Sequence, residues 1–169
     1  MGQDEAYQEA VAQYGAMLRR LARGYEADPD QQHDLLQEIH VGLWRSLGAF
    51  RGQCSLRTWT FRVAHNIASS HVARQIRSKR GLVSLDALEH TASADDPERQ
   101  VDERQVLHRL AALIHGLKSP DRQVILLYLE DFDAAAIAEI TGLSSPAVAT
   151  KIHRIKAVLA RQFHEGSRT

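Results

Sequence analysis

With 169 residues and 44% apolar content, the chain is long enough for one ordinary domain or two small ones, and apolar enough to build real cores. No apolar run approaches the ~18 residues of a membrane span, and the acidic start MGQDEAYQEA lacks the layout of a signal peptide. The lone Cys54 excludes an internal disulfide and a CxxC zinc or redox site, and a formal net charge of zero argues at first against a nucleic-acid partner. The composition leads us to expect a cytoplasmic protein without membrane insertion.

Helical periodicity runs through the chain, and no alternating strand pattern competes with it. A first helix is predicted over 5–24, with Val11, Tyr14, Leu18 and Leu21 on its apolar face. Asp28-Pro29-Asp30 breaks it and offers cap chemistry to a second helix, whose apolar side carries Leu36, Ile39, Leu43 and Leu47. The opposite side carries Asp34, Gln37, Glu38, Val41 and Arg45. An apolar valine among polar neighbours permits a protein contact there. Residues 48–55 read as a loop with Gly52 at its most permissive point, and a long helix follows over 56–80.

The charge is unevenly spread. No acidic residue occurs between Glu38 and Asp86, while Arg45, Arg51, Arg57, Arg62, Arg74, Arg77, Lys79 and Arg80 do. Local basic surface of this kind is what phosphates respond to. Within it, Phe50, Trp59 and Phe61 alternate with Arg51, Arg57 and Arg62. Unstacked bases bind by stacking on rings while cations follow the backbone, so this segment is a candidate for holding a base taken out of the duplex. The alternative is that Trp59 and Phe61 are simply core, and Trp59, with Val63 four residues on, reads rather that way.

Residues 81–97 form an acidic candidate linker containing SADDPE. Helical patterning resumes at 98 through Val106, Leu110, Leu113 and Leu117, and Ser119-Pro120 opens a further helix. Asp133 is placed to cap a short helix over 134–141 with Ile137 and Ile140 inward. Gly142-Leu143-Ser144 then turns the chain, and Ser145-Pro146 opens a longer helix, Ser145 as its cap and Pro146 in its first turn, with an inner stripe of Val148, Ile152, Ile155 and Leu159. Helix, short glycine turn and longer helix is the DNA-binding helix-turn-helix layout. On the outer side lie Ala147, Thr150, Arg154 and Arg161, flanked by Lys151 and His153. Small residues first and basic ones later suit approach to a major groove.

Two segments together resemble the extracytoplasmic-function sigma factors of the sigma-70 family. DLLQEIHVGLWRSLGAFRGQCSLRTWTFRVAHNIASSHVAR, residues 34–74, is similar to the family's polymerase-binding and −10-reading part. LKSPDRQVILLYLEDFDAAAIAEITGLSSPAVATKIHRIKAVL, residues 117–159, is similar to its −35-reading domain. The resemblance implies an all-α chain of two small helical domains, 1–80 and 98–169, joined by the linker at 81–97. It implies core RNA polymerase, promoter DNA and an anti-sigma factor as partners. It further implies that Asp34, Gln37, Glu38, Val41 and Arg45 dock on polymerase. Phe50, Arg51, Gly52, Gln53, Cys54 and Ser55 would receive a flipped −10 base, with Arg62 and Asn66 along the melted strand. Ala147, Thr150, Lys151, His153 and Arg154 would lie at the −35 element. His40, Gly42 and Ala149 depart from the pattern, and an interior glycine, costing about 1 kcal/mol against alanine, predicts a less rigid second helix.

Two other classes compete. A stand-alone helix-turn-helix regulator explains the C-terminal half but leaves the basic-aromatic segment without a task. A metal enzyme is the third reading, since nine histidines invite one. His33, Glu38 and His40 do not have HExxH spacing, and His65 and His71 lack a carboxylate in their own segment. No catalytic residue, metal or cofactor is expected.

Overall fold

A computed structural model describes residues 1–80 and 103–165, so the linker expected over 81–97 lies outside the described residues. The described residues form seven α-helices and no strand: α1 (Gln3–Tyr25), α2 (Pro29–Leu47), α3 (Leu56–Arg80), α4 (Glu103–His115), α5 (Ser119–Leu129), α6 (Ala134–Thr141) and α7 (Ser145–Glu165). The all-α expectation is borne out in two helical units, α1–α3 and α4–α7.

Local chemistry sets the boundaries. The Asp28 carboxylate accepts from the N–H groups of Asp30 and Gln31 at 2.8 and 3.3 Å, and Pro29 follows it where a missing N–H costs nothing. The Asp133 carboxylate accepts from the Ala136 N–H at 2.8 Å, as the sequence suggests. Gly142 closes α6 at φ +80°, a left-handed turn that a side chain would strain. The sequence placed the cap of α7 one residue late. Ser144 performs it, its hydroxyl accepting from the Ala147 N–H at 3.3 Å, while Ser145 and Pro146 already lie within the helix. Ser119 likewise sits inside α5, and its hydroxyl is spent on Ser69 of α3 at 2.9 Å.

The α2 stripe is as expected at Ile39, Leu43 and Leu47 and differs by one residue at its first member. Leu35, Ile39, Leu43 and Leu47 are buried and Leu36 only half so, because strict four-residue spacing makes the continuous ridge that α1 and α3 receive. In α7, Val148, Ile155 and Leu159 are buried and Ile152 is half-buried. Gly42 has a packing reason. A Cβ there would lie 2.2 Å from Ile67 Cδ1, so the tip of that isoleucine occupies the space an alanine methyl would take.

The two units meet along a seam. Phe61, 1% exposed, packs edge-on against Tyr14 of α1 and Phe132 at centroid distances of 5.9 and 4.9 Å. Arg20 grips the Glu130 carboxylate at 2.7 and 2.9 Å. Arg57 donates to the Glu130 carbonyl at 3.1 Å and lies 3.8 Å above the Phe132 ring. Buried Arg122 of α5 donates to the carbonyls of Tyr25, His115 and Leu117, so one cation serves the C-terminal ends of α1 and α4.

Candidate nucleic-acid and protein-docking surfaces

The polar face of α2 does not stand alone. Asp34, Gln37, Glu38, Val41 and Arg45, all nominated from sequence, line one groove of about 750 Å³ between α2 and α3. Gly42, Asn66, Ile67, Ser70 and Arg74 complete its wall. Val41, one of its lining residues, is 49% exposed. Val41, Gly42 and Ile67 are the apolar residues of its lining, Asp34 and Glu38 the acidic ones and Arg45 and Arg74 the basic ones. Reading α2 by itself missed the α3 side. The available signal was the spacing of Asn66, Ser70 and Arg74, which puts them on one exposed face.

Glu38 is held by two groups. Its Oε2 accepts from Arg74 at 2.7 Å, and its Oε1 lies 3.2 Å from Nδ1 of His71, which is buried. On the other side of that ring, Nε2 is 2.9 Å from the Glu26 carboxylate and 3.2 Å from the Gln75 amide. In its own segment His71 has no carboxylate, but folding brings it two. His40 is half-buried and bonded to the Tyr7 hydroxyl at 2.9 Å; burial first, and Arg19 second, pull its pKa down. Among the described residues no group of three or more His, Cys, Asp and Glu is placed to hold a metal ion.

The loop before α3 is braced from within. Gly52 has φ +78° with open space about it, so backbone conformation alone favours glycine there. The Gln53 side chain accepts from the Arg51 N–H at 2.7 Å and donates to the Ala49 carbonyl at 3.2 Å. The Arg51 guanidinium curls onto the carbonyls of Gly48 and Phe50. Ser55 caps α3 through Thr58, Cys54 is half-buried, and Phe50 rests on Trp59 at 5.3 Å. Trp59 is half-buried against the core and donates to Ser46 at 3.0 Å, so its reading as core holds in part. Phe61 is buried as well and offers no face to a base.

Arg62 and Asn66 are not brought together. Arg62 donates to the Glu139 carbonyl of α6 at 2.8 Å, whereas Asn66 faces the groove. On α7, Thr150, His153 and Arg154 are exposed and Ala147 half-buried, leaving an open face along the second helix of the helix-turn-helix. Lys151 is drawn back onto Asp121 of α5 at 2.8 Å.

Comparison with known proteins gives these surfaces a family. Residues 10–78 match sigma-70 region 2, and residues 107–159 match sigma-70 region 4. Over 166 residues the chain is 30% identical to the RNA polymerase sigma factor CnrH of Cupriavidus metallidurans, covering 94% of this chain and 87% of that protein. The chain belongs to the sigma-70 family of RNA polymerase sigma factors. Its extracytoplasmic-function character is seen in the ECF sigma-E factor of Haemophilus influenzae, 26% identical over 170 residues, with 96% of this chain and 89% of that one covered. The fold is that of CnrH solved in complex with the cytosolic domain of CnrY, at a TM-score of 0.69 and 23% identity over 97% of this chain and 91% of that one. It is also that of RpoE from Bartonella quintana solved with the anti-sigma factor NepR, at a TM-score of 0.69 and 20% identity over 94% and 95% of the two chains.

As a sigma factor the chain binds core RNA polymerase and directs promoter-specific initiation of transcription. A stand-alone regulator is not favoured, since the family match extends over both halves. Among the described residues no helix of this sigma factor is long and apolar enough to cross a membrane.

Proposed function

We propose that this sigma factor divides its work between residues 1–80, which dock on polymerase and capture the melted −10 strand, and residues 98–169, which read the −35 duplex. The observation that carries this reading is the groove: the five residues nominated for docking on sequence grounds share one wall, an exposed valine among them. Apolar area ringed by charges of both signs suits a protein partner, because the centre gives affinity and the rim gives register. In the same reading, residues 50–55 receive a base of the −10 element, with Arg62 and Asn66 beside the strand. Ala147, Thr150, Lys151, His153 and Arg154 meet the −35 element. The mechanism is binding and strand capture in the cytoplasm with no chemistry of its own, so no catalytic group, metal or cofactor takes part. An anti-sigma factor is the proposed regulator.

The test is reconstitution with core polymerase, followed by mapping of transcript starts. Asp34→Lys should fold normally, since Asp34 is exposed and away from the buried stripe, yet bind core more weakly. Undiminished core affinity in the folded variant would refute the docking assignment.

A further inference from the structure

Groups from all three N-terminal helices converge on one edge of the groove. Glu26 comes from the end of α1, Glu38 from α2, and His71 and Arg74 from α3. The His71 side chain is only 7% exposed, and Glu26 behind it 9%, whereas Glu38 is 40% exposed on the groove. Nδ1 of the buried ring faces Glu38 Oε1, and the exposed Arg74 guanidinium holds Oε2. The carboxylate that meets the partner is therefore fixed at both oxygens by groups of this chain.

We infer that His71 is a positioning residue: donating from Nδ1, it holds the Glu38 carboxylate in the orientation that polymerase engages. This rests on the docking role proposed above for Glu38. The ring is itself placed from behind. The Gln75 amide lies 3.2 Å from Nε2 and also donates to Gln31 at 2.8 Å, while the Glu26 carboxylate closes the same side. A proton on Nδ1 gives Glu38 a donor whether or not Nε2 also carries one. A free glutamate explores several rotamers and must be ordered on binding, whereas this one meets its partner already ordered.

Amide isosteres divide the ring's two sides. Asparagine puts its nitrogen near the place of Nδ1, and glutamine near that of Nε2. His71→Gln should bind core polymerase about five- to tenfold more weakly, the effect of freeing one long side chain. His71→Asn should stay within about twofold of the parent protein. In a Glu38→Ala background, His71→Gln should add nothing, because nothing is left to position. Thermal unfolding of each variant keeps the comparison to folded protein. Should His71→Gln fail to fold, Arg74→Met removes the exposed hold and carries the same expectation, including its disappearance in Glu38→Ala. Equal core affinities for the Asn and Gln variants, or a full effect of either change without Glu38, would overturn the inference. If Glu38→Ala itself bound core like the parent, the docking role would fall and the positioning with it. A weak Glu38→Ala beside an unimpaired His71→Gln would sink the positioning alone.

Discussion

Gly42 shows how a single residue can be misjudged from its helix alone. By propensity it weakens α2 by about 1 kcal/mol relative to alanine. In place, it makes room for Ile67 Cδ1, which an added Cβ would meet at 2.2 Å. We expect Gly42→Ala to be neutral or destabilising in the parent protein, because the displaced isoleucine offsets the helix gain. In an Ile67→Ala background the same change should stabilise by about 1 kcal/mol, as read from urea unfolding. A stabilising Gly42→Ala with Ile67 intact would show that the contact is readily relieved. His65 makes a second residue-scale case. Burial pushes its pKa down to about 3, and its Nδ1 lies 2.8 Å from the Tyr25 hydroxyl. The unfolded chain takes up this proton near pH 6.5, while the folded chain refuses it until about pH 3. The unfolded state thus binds more protons in that window, so stability falls as pH drops from 6.5 toward 3. The slope approaches about 1.4 kcal/mol per pH unit for one proton. Comparing urea midpoints at pH 7 and pH 5 with those of His65→Leu checks this: the variant should lose most of that slope.

At the scale of elements, the helices were legible because their signals are local. Apolar residues repeat at helical spacing, and Asp28, Asp133 and Gly142 announce where helices begin or end. The one-residue errors, Leu36 for Leu35 and Ser145 for Ser144, arose where adjacent residues of the same type compete and only packing or cap geometry decides. The α2 side of the groove was legible for the same reason, as an exposed face with an unexpected valine. Its α3 side, the His71 cluster and the Arg122 contacts were not, because each joins residues far apart in sequence. Phe61 illustrates the converse: an aromatic among arginines suggests nucleic acid as readily as core, and the fold decides for core. Helix α7 carries its own prediction. Arg154 is exposed and Lys151 is tied to Asp121, so Arg154 is the freer cation. Arg154→Ala should weaken −35 duplex binding in holoenzyme by about 1–3 kcal/mol if it reads a base edge. If it holds a phosphate, the loss should be uniform across sequences and the salt slope should fall by about one. An unchanged affinity and slope would remove Arg154 from the interface.

For the whole molecule, the seam between α1–α3 and α4–α7 is the feature that a division into two domains does not anticipate. Glu130 stands at its middle, receiving Arg20 at its carboxylate and Arg57 at its carbonyl. Glu130→Lys would set like charges against each other there, and we expect a larger radius of gyration in small-angle scattering of the free protein. An exposed ion pair contributes only about 0–1 kcal/mol, so the shift should be clearest at low salt. An unchanged radius at low salt would mean that packing around Phe61 and Phe132 suffices to hold the seam.

The donors and acceptors of that seam are chemically unequal. Arg57, Arg62, Arg122 and His115 reach across it to the main-chain oxygens of Glu130, Glu139, Tyr25 and Arg23. Every residue supplies such an oxygen whatever its side chain, so substitution can delete these donors but not their acceptors. For these four contacts mutational sensitivity should therefore be lopsided, concentrated at three arginines and a histidine, whereas Glu130 and Tyr25 opposite them matter through their side chains, one holding Arg20 and the other buried. Among related chains, whether the halves close should be foretold by those four donors, with no matching change on the other side to betray the contact.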